Sequence, residues 1–487
     1  MGIVLRQSAS NVVITYFGFG IGAVNAMFLY TTFLSKMNYG IVSFLLSAAN
    51  ILMPIMALGA HNSLIRFFAY CKSEEQRERF MSFMLWLPLL LVIPICSVGY
   101  IFYDEIAALL AEKPEARHYM WLIAVIGFCM AYFEIFYAWV KVHMKSVFGN
   151  LISEVLVRIL VTAMLICVHL GIMRQEMFIY CLAAAYGLQL LAMMAYAFKV
   201  RMPTFTMVLP DNAKEVLTYS LFIIVSGSVA TLLLDFDKVM IPFYTKWDDN
   251  AVYSLAIFIA TVIAVPSRAM LQIIYPITAR LMSEKKMDEV DDLYKKSAIT
   301  LQVFGGLVML GIFLNIRQMY LIIPGNYASG TMAVFLIGLS KFYDVILGNN
   351  NAIILNTKYY RWALLFGVMT VVLMIGLNML LIPLYHINGS ALATLITVVI
   401  YNSVKLFFVV KKLGLYPFTI NTLKSFAVIL LTFLLFYFWE FPFHPIVNIM
   451  LKSVLITVVY VYVNYKLAVS AEINALIDQS LSRLKRG

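Results

Sequence analysis

Charge is what this chain has least of: Asp, Glu, Lys and Arg together make up 13% of its 487 residues, and no polar stretch is long enough to fold as a domain of its own. With 63% hydrophobic residues and a mean hydropathy of +0.89, the chain carries more apolar surface than a soluble globule can hide, so lipid must be its solvent. Cysteine is scarce as well. The five present, Cys71, Cys96, Cys129, Cys167 and Cys181, show neither CxxC nor His-Cys spacing, which excludes a disulfide framework and a metal site and leaves them as packing residues. Also missing are a Walker phosphate loop, an HExxH helix, a nucleophile elbow and a catalytic pair of carboxylates at a recognisable spacing. An ATP-driven pump and the familiar hydrolases are thereby excluded; no cofactor is implied, and the chain does not read as an enzyme.

What the chain does have is fourteen apolar runs, near 9–34, 40–65, 80–102, 119–140, 150–172, 177–198, 217–243, 251–275, 298–323, 331–348, 362–382, 389–410, 423–439 and 446–467. A hydrocarbon core of ~30 Å takes ~20 helical residues to cross, and each run is about that long. In lipid the backbone must satisfy its own hydrogen bonds, so continuous runs mean helices, whereas a barrel would show short alternating segments. The fold class is therefore all-α, a polytopic membrane protein. The first run exceeds the apolar core of a secretory signal and no small-residue cleavage site follows it, so it reads as the first crossing.

The net charge of +11 would suggest nucleic acid in a soluble protein; here no nucleic-acid partner is expected, and the distribution among loops carries the information. One alternating set of connections holds 23 of the 36 Lys and Arg residues, the opposite set only 5, and the remaining 8 lie in or at the edges of spans. This bias places both termini in the cytoplasm and fixes an even number of crossings.

A short repeat divides the chain. Asn38-Tyr-Gly-Ile-Val-Ser43 opens span 2 and Asp249-Asn-Ala-Val-Tyr-Ser254 opens span 8, 211 positions later, each followed by a proline at nearly the same depth, Pro54 and Pro266. Spans 1–6 and 7–12 then form two lobes of like orientation, residues 1–200 and 201–415, the arrangement of a parallel repeat with a substrate site near the midplane. Residues 416–467 add two helices. The tail, 468–487, sets Ile473, Leu476, Ile477, Leu481 and Leu484 on one face and ends in Arg483, Lys485 and Arg486, as a cytoplasmic interfacial helix does. The charged 276–297 segment reads as a solvated surface helix.

A charge at mid-bilayer costs ~2.5–3.5 kcal/mol on insertion scales, so those retained should face protein or water. In span 7, Ser228, Thr231, Asp235 and Lys238 share a helix face, with Asp237 beside that line; in span 8, Thr261, Arg268, Gln272 and Tyr275 do the same. In span 1, Asn11, Thr15, Gly18, Gly22 and Asn25 form a stripe that either packs tightly through its glycines or lines a cavity. Asp235 and Lys238 are spaced either to neutralise each other or to meet a substrate. Arg66 either snorkels to headgroups or faces a cavity. Arg158 follows Glu154 by one turn and pairs with it, and Lys341 and Asp344 in span 10 are three apart. The candidate cavity residues are Arg66, Asp235, Asp237, Lys238, Arg268, Gln272, Lys341 and Asn25.

Several segments together resemble a known family. Asp235-Phe-Asp-Lys-Val-Met-Ile, Val252-Tyr-Ser-Leu-Ala, Pro276-Ile-Thr-Ala-Arg-Leu, Asn378-Met-Leu-Leu-Ile-Pro and Ile387-Asn-Gly-Ser-Ala-Leu-Ala-Thr, in that order, are similar to the polysaccharide biosynthesis (Wzx-type) flippases of the multidrug/oligosaccharidyl-lipid/polysaccharide superfamily. The resemblance implies a V of two six-helix lobes with two extra helices. It also implies a polyprenyl-diphosphate-linked oligosaccharide as cargo, moved from the cytoplasmic to the periplasmic leaflet, with polysaccharide assembly proteins as further partners. By position, Asp235 and Lys238 match the acidic start of the family's seventh helix, Arg268 lies in the eighth, and Arg66 matches the basic residue ending the second; Pro242 departs from the pattern. A multidrug exporter of the same superfamily is the alternative reading, and a membrane glycan polymerase or ligase a third, disfavoured because the longest outer loop is only 103–118.

Overall fold

A computed structural model describes residues 2–108, 114–204, 206, 208–210, 212–227, 229–357, 359 and 362–484. Lys113, Ser228, Lys358, Arg361, Lys485 and Arg486 fall outside these residues, as do the side chains of Arg6, Thr231, Leu481, Arg483 and Leu484. Among the described residues all regular structure is helical.

In chain order the apolar helices are α1 (Ser10–Phe33), α2 (Lys36–Met56), α3 (Glu74–Ile101), α4 (Pro114–Val142), α5 (Ser146–His169) and α6 (Gln175–Val200). Next come α7, made of Ala213–Gly227 and Val229–Tyr244, and α8, running from Trp247–Thr261 through a 3-10 turn at Val262–Ala264 into Val265–Ser283. They are followed by α9 (Met287–Ile322) and α10 (Ala328–Ile346). The next helical stretch, Trp362–Leu413, has 52 residues, about twice what a bilayer needs. His386 inside it has φ 51° and ψ −132°, so it is two helices, α11 (362–385) and α12 (387–413), joined at a sharp break. The sequence reading ends one span at 382 and starts the next at 389, on either side of that break. α13 (Ile420–Tyr437), α14 (Pro445–Lys466) and the tail helix α15 (Ala471–Leu484) complete the chain. By length and composition, twelve described helices qualify as membrane spans, Trp362–Leu413 counted as one and α7 not among them.

The chain divides into two compact units, Met1–Ser254 and Leu255–Gly487. In the first, α2 packs on α4 and α7, α6 packs on α4, and α1 lies along α5. Its core gathers Phe80, Phe133, Trp139 and Met193. In the second, α9 is the axis, contacted by α8, α10, α13 and α14.

Local chemistry fixes the ends of these helices. Ser35 caps α2 by accepting from the Asn38 amide at 3.2 Å, and Ser73 with Gln76 forms a capping box at the start of α3. After α2 the helix is interrupted at Leu58 and Gly59, both at positive φ; a Cβ on Gly59 would meet the Ser220 carbonyl of α7. That turn launches the short helix Ala60–Phe67, which carries Arg66. The segment after α6 is tied back to α3: Arg201 forks to Glu74 and, at 3.2 Å, to Glu78, and Ser82 exchanges hydrogen bonds of 2.6 and 2.9 Å with the Thr206 backbone. In the charged segment before and within the start of α9, Lys286 pairs with Glu284 and Glu289, Lys295 with Asp291 and Lys296 with Asp292. A self-neutralised solvated face accounts for it.

Candidate functional site

In the first unit the two carboxylates of α7 lead different lives. Asp235 pairs with Lys238 at 3.0 Å, both side chains largely but not wholly covered. Asp237, on the adjoining face, is fully buried and accepts the Tyr253 hydroxyl of α8 at 2.5 Å. Arg66 is exposed, with its guanidinium 4.3 Å from the centroid of the Tyr219 ring of α7, and among the described residues it has no ion-pair partner. A cation held on an aromatic face keeps its charge available to an anion.

The glycine stripe of α1 is a cradle for a charge on α5. Arg158 lies across it: a Cβ at Gly18 would fall 2.6 Å from Nη1, and one at Gly22 3.3 Å from Nε. Arg158 Nη1 donates to the Glu154 carboxylate at 2.8 Å and to the Glu154 carbonyl at 2.7 Å. The Glu154 end of this contact lies in a widened π turn, Ile152–Leu156, and α1 has its own π turn at Asn25–Leu29. Such single wide turns re-aim side chains and recur at functional positions. Asn25, placed on the cavity list from sequence, is buried; its amide donates to the Arg158 carbonyl at 2.9 Å and its oxygen accepts from Thr162 at 2.8 Å. It therefore fastens α1 to α5 where the arginine emerges.

In the second unit Arg268 and Gln272 are exposed, and Arg268 has no ion-pair or hydrogen-bond partner among the described residues. Lys341 is half-buried one turn from Asp344. Asp344 accepts from Asn402 of α12 at 3.1 Å, while Lys405 is buried, donates to Asn351 at 2.7 Å and lies 3.9 Å over the Tyr401 ring. The α10–α12 face is thus polar, a feature the sequence reading did not collect because its members are spread over sixty positions.

The two copies of the sequence repeat touch each other. Ser43 and Ser254, equivalent positions 211 apart, share a hydroxyl–hydroxyl hydrogen bond, and Asn250 donates to the Gly40 carbonyl at 2.9 Å. Gly40 is required there, since a Cβ would collide with the Trp247 carbonyl.

The sequence profile of the polysaccharide biosynthesis protein family matches residues 4–282, more than half of the chain. The chain belongs to this family. No curated protein sequence matches it. Among solved structures, the lipid II flippase MurJ in an inward closed conformation is similar over 94% of this chain and 98% of its own, with a TM-score of 0.73 at 14% identity. An inward-facing multidrug resistance MATE family transporter of the MOP superfamily matches 83% of this chain and 93% of its own, TM-score 0.57, 14% identical. A MOP superfamily transporter from Pyrococcus furiosus, described as having a binding pocket of reverse polarity, matches 84% of this chain and 96% of its own, TM-score 0.55, 12% identical. The family member described here therefore has the fold of these transporters and is a multi-pass membrane protein.

Sequence reasoning missed Glu154 and Arg158 as site candidates because an i, i+4 pair on one helix reads as closed on itself. The signal that could have found them is Gly18 and Gly22 on α1, whose spacing matches the length of an arginine laid across two turns.

Proposed function

We propose that this chain is a transporter, not an enzyme, which moves a polyprenyl-diphosphate-linked oligosaccharide from the cytoplasmic to the periplasmic leaflet of a bacterial inner membrane. Its termini are cytoplasmic, and polysaccharide assembly proteins receive the product. Family membership and the shared fold support the transport class. The observation that carries the substrate class is the pair of arginines Arg66 and Arg268, which lack a carboxylate partner among the described residues. An ionised group kept at membrane depth without a counter-ion faces water or a substrate anion, and a guanidinium fits a diphosphate through charge-assisted hydrogen bonds. Lys238, Asp235, Gln272 and Lys341 complete the candidate cavity set, Asp237 and Asn25 being closed within the protein, with residues 1–200 and 201–415 as the two lobes and 416–467 as the added pair. An exporter of organic cations would want the opposite charge at positions 66 and 268.

The test is delivery of lipid-linked glycan to the outer leaflet. Arg66→Ala and Arg268→Ala should each leave the protein inserted and lower delivery about tenfold, the worth of one charge-assisted contact, and Lys238→Ala should lower it less, since Asp235 already matches that charge. Unchanged surface polysaccharide in the arginine variants would refute the reading. Accessibility labelling should find the 199–216 loop on the cytoplasmic side.

A further inference from the structure

The charges at the candidate site of the first unit fall into two chemical kinds. Arg66 has no matching carboxylate among the described residues, whereas Arg158 is matched by Glu154 and Lys238 by Asp235. A matched pair attracts a dianion weakly, because its own carboxylate repels what its cation attracts. Here the surroundings add to that. Glu134 of α4, which faces Lys141, is also within electrostatic reach of Glu154, and Tyr186 of α6 is within reach of both Arg158 and Asp235.

Yet the Glu154–Arg158 pair is not sealed. It lies midway along α5, against the middle of α1, and the two side chains keep 27% and 35% of their surface accessible. The hydrogen bonds present use Glu154 Oε2 and Arg158 Nη1, leaving Glu154 Oε1 and Arg158 Nε and Nη2 with bonding capacity that no described residue takes up. A fixed acceptor beside a fixed donor, neutral overall and rigidly held, is what two neighbouring hydroxyls of a sugar need, since each hydroxyl both donates and accepts. Rigidity comes from Gly18 and Gly22 beneath the arginine and from the Asn25 and Thr162 bonds to its carbonyl.

Building on the flippase reading above, we propose that the Glu154–Arg158 pair binds the sugar portion of the cargo, while the unmatched Arg66 takes the diphosphate. The chain then reads two chemistries of one substrate at two places, and glycan selectivity resides on α1 and α5.

The experiment compares two probes on the purified full-length protein in nanodiscs: undecaprenyl diphosphate, and the same lipid bearing one N-acetylglucosamine. Wild type should bind the sugar-bearing lipid about tenfold more tightly than the bare one. The double variant Glu154→Gln/Arg158→Gln, which removes the pair without changing net charge, should remove that difference while leaving the affinity for bare undecaprenyl diphosphate unchanged; Gly22→Ala, which presses on the guanidinium, should reduce it in part. Equal affinity of wild type for both lipids would overturn the proposal, as would variants that weaken both probes alike, the mark of a packing role, or that weaken the bare lipid alone, the mark of a phosphate site. If wild type binds neither lipid, the flippase reading itself fails. Arg66→Ala serves as the contrast, losing affinity for both probes equally.

Discussion

Two contacts between helices in this molecule both place polar groups in the membrane, and they do so in opposite ways. Between α1 and α5, the span α1 is only 11% buried and the charged pair it supports is partly open. Between α9, α13 and α14, the span α9 is 78% buried, and the polar contacts are enclosed within the protein. Lys452 donates to the Leu314 carbonyl at 2.7 Å, Tyr460 to the Val303 carbonyl at 3.2 Å, and Gln302 to the Thr422 carbonyl at 3.1 Å. The second arrangement is adhesive, since polar contacts between membrane helices hold segments together. The first keeps bonding capacity that can be reached from outside, and accessible hydrogen-bonding capacity distinguishes a site from a joint.

Substitutions can break this distinction if it is false. The strongest single closed contact is Tyr253 to Asp237, a buried hydrogen bond to a carboxylate; Tyr253→Phe should lower stability by ~1.5–3 kcal/mol, read as a lower midpoint of thermal unfolding in detergent. Little change there would mean Asp237 is satisfied by other groups. Next are two glycines that face very different neighbours. A Cβ on Gly306 of α9 would fall 2.7 Å from Ile429 and 2.8 Å from the Tyr460 hydroxyl, so Gly306→Val should overpack the seam and cost about 1–3 kcal/mol. Gly22 faces only the flexible arginine, so Gly22→Val should cost less than about 1 kcal/mol yet impair glycan delivery. If the two variants swapped behaviours, with Gly22→Val unfolding the protein and Gly306→Val stopping transport, the comparison would collapse.

Much of this was legible in the sequence, and the limits have physical causes. The helices could be read because each apolar run must cover the same membrane thickness, and the gap left between 382 and 389 contains the His386 break. The repeat was visible as six residues at a spacing of 211, but that its copies meet at Ser43 and Ser254 was not, because a repeat states likeness and not contact. Periodicity placed Asp235, Lys238 and Asp237 on α7 correctly but could not show which acid is closed; that depends on Tyr253, a residue of another helix. The stripe of α1 was left between packing and cavity lining. It packs, Asn25 tying α5 in place and the glycines giving Arg158 its room, and only the partner helix reveals it.

The smallest expected effect is at Lys452, and it is the sharpest test of the adhesive reading. Its ammonium is buried against a helix carbonyl, within electrostatic reach of Glu440. Met has nearly the same length, and the Leu314 carbonyl belongs to the interior of α9, where the backbone ladder already supplies an acceptor's partner. Lys452→Met therefore removes one hydrogen bond while relieving the desolvation of a charge, two terms of similar size and opposite sign. The net change in stability should be within about 1 kcal/mol, and glycan delivery should match wild type, whereas Arg158→Met should fold normally and transport poorly. A Lys452→Met protein that folds as well as wild type but fails to deliver glycan would show that a fully closed polar group can still act in transport, and accessible bonding capacity would no longer separate site from joint.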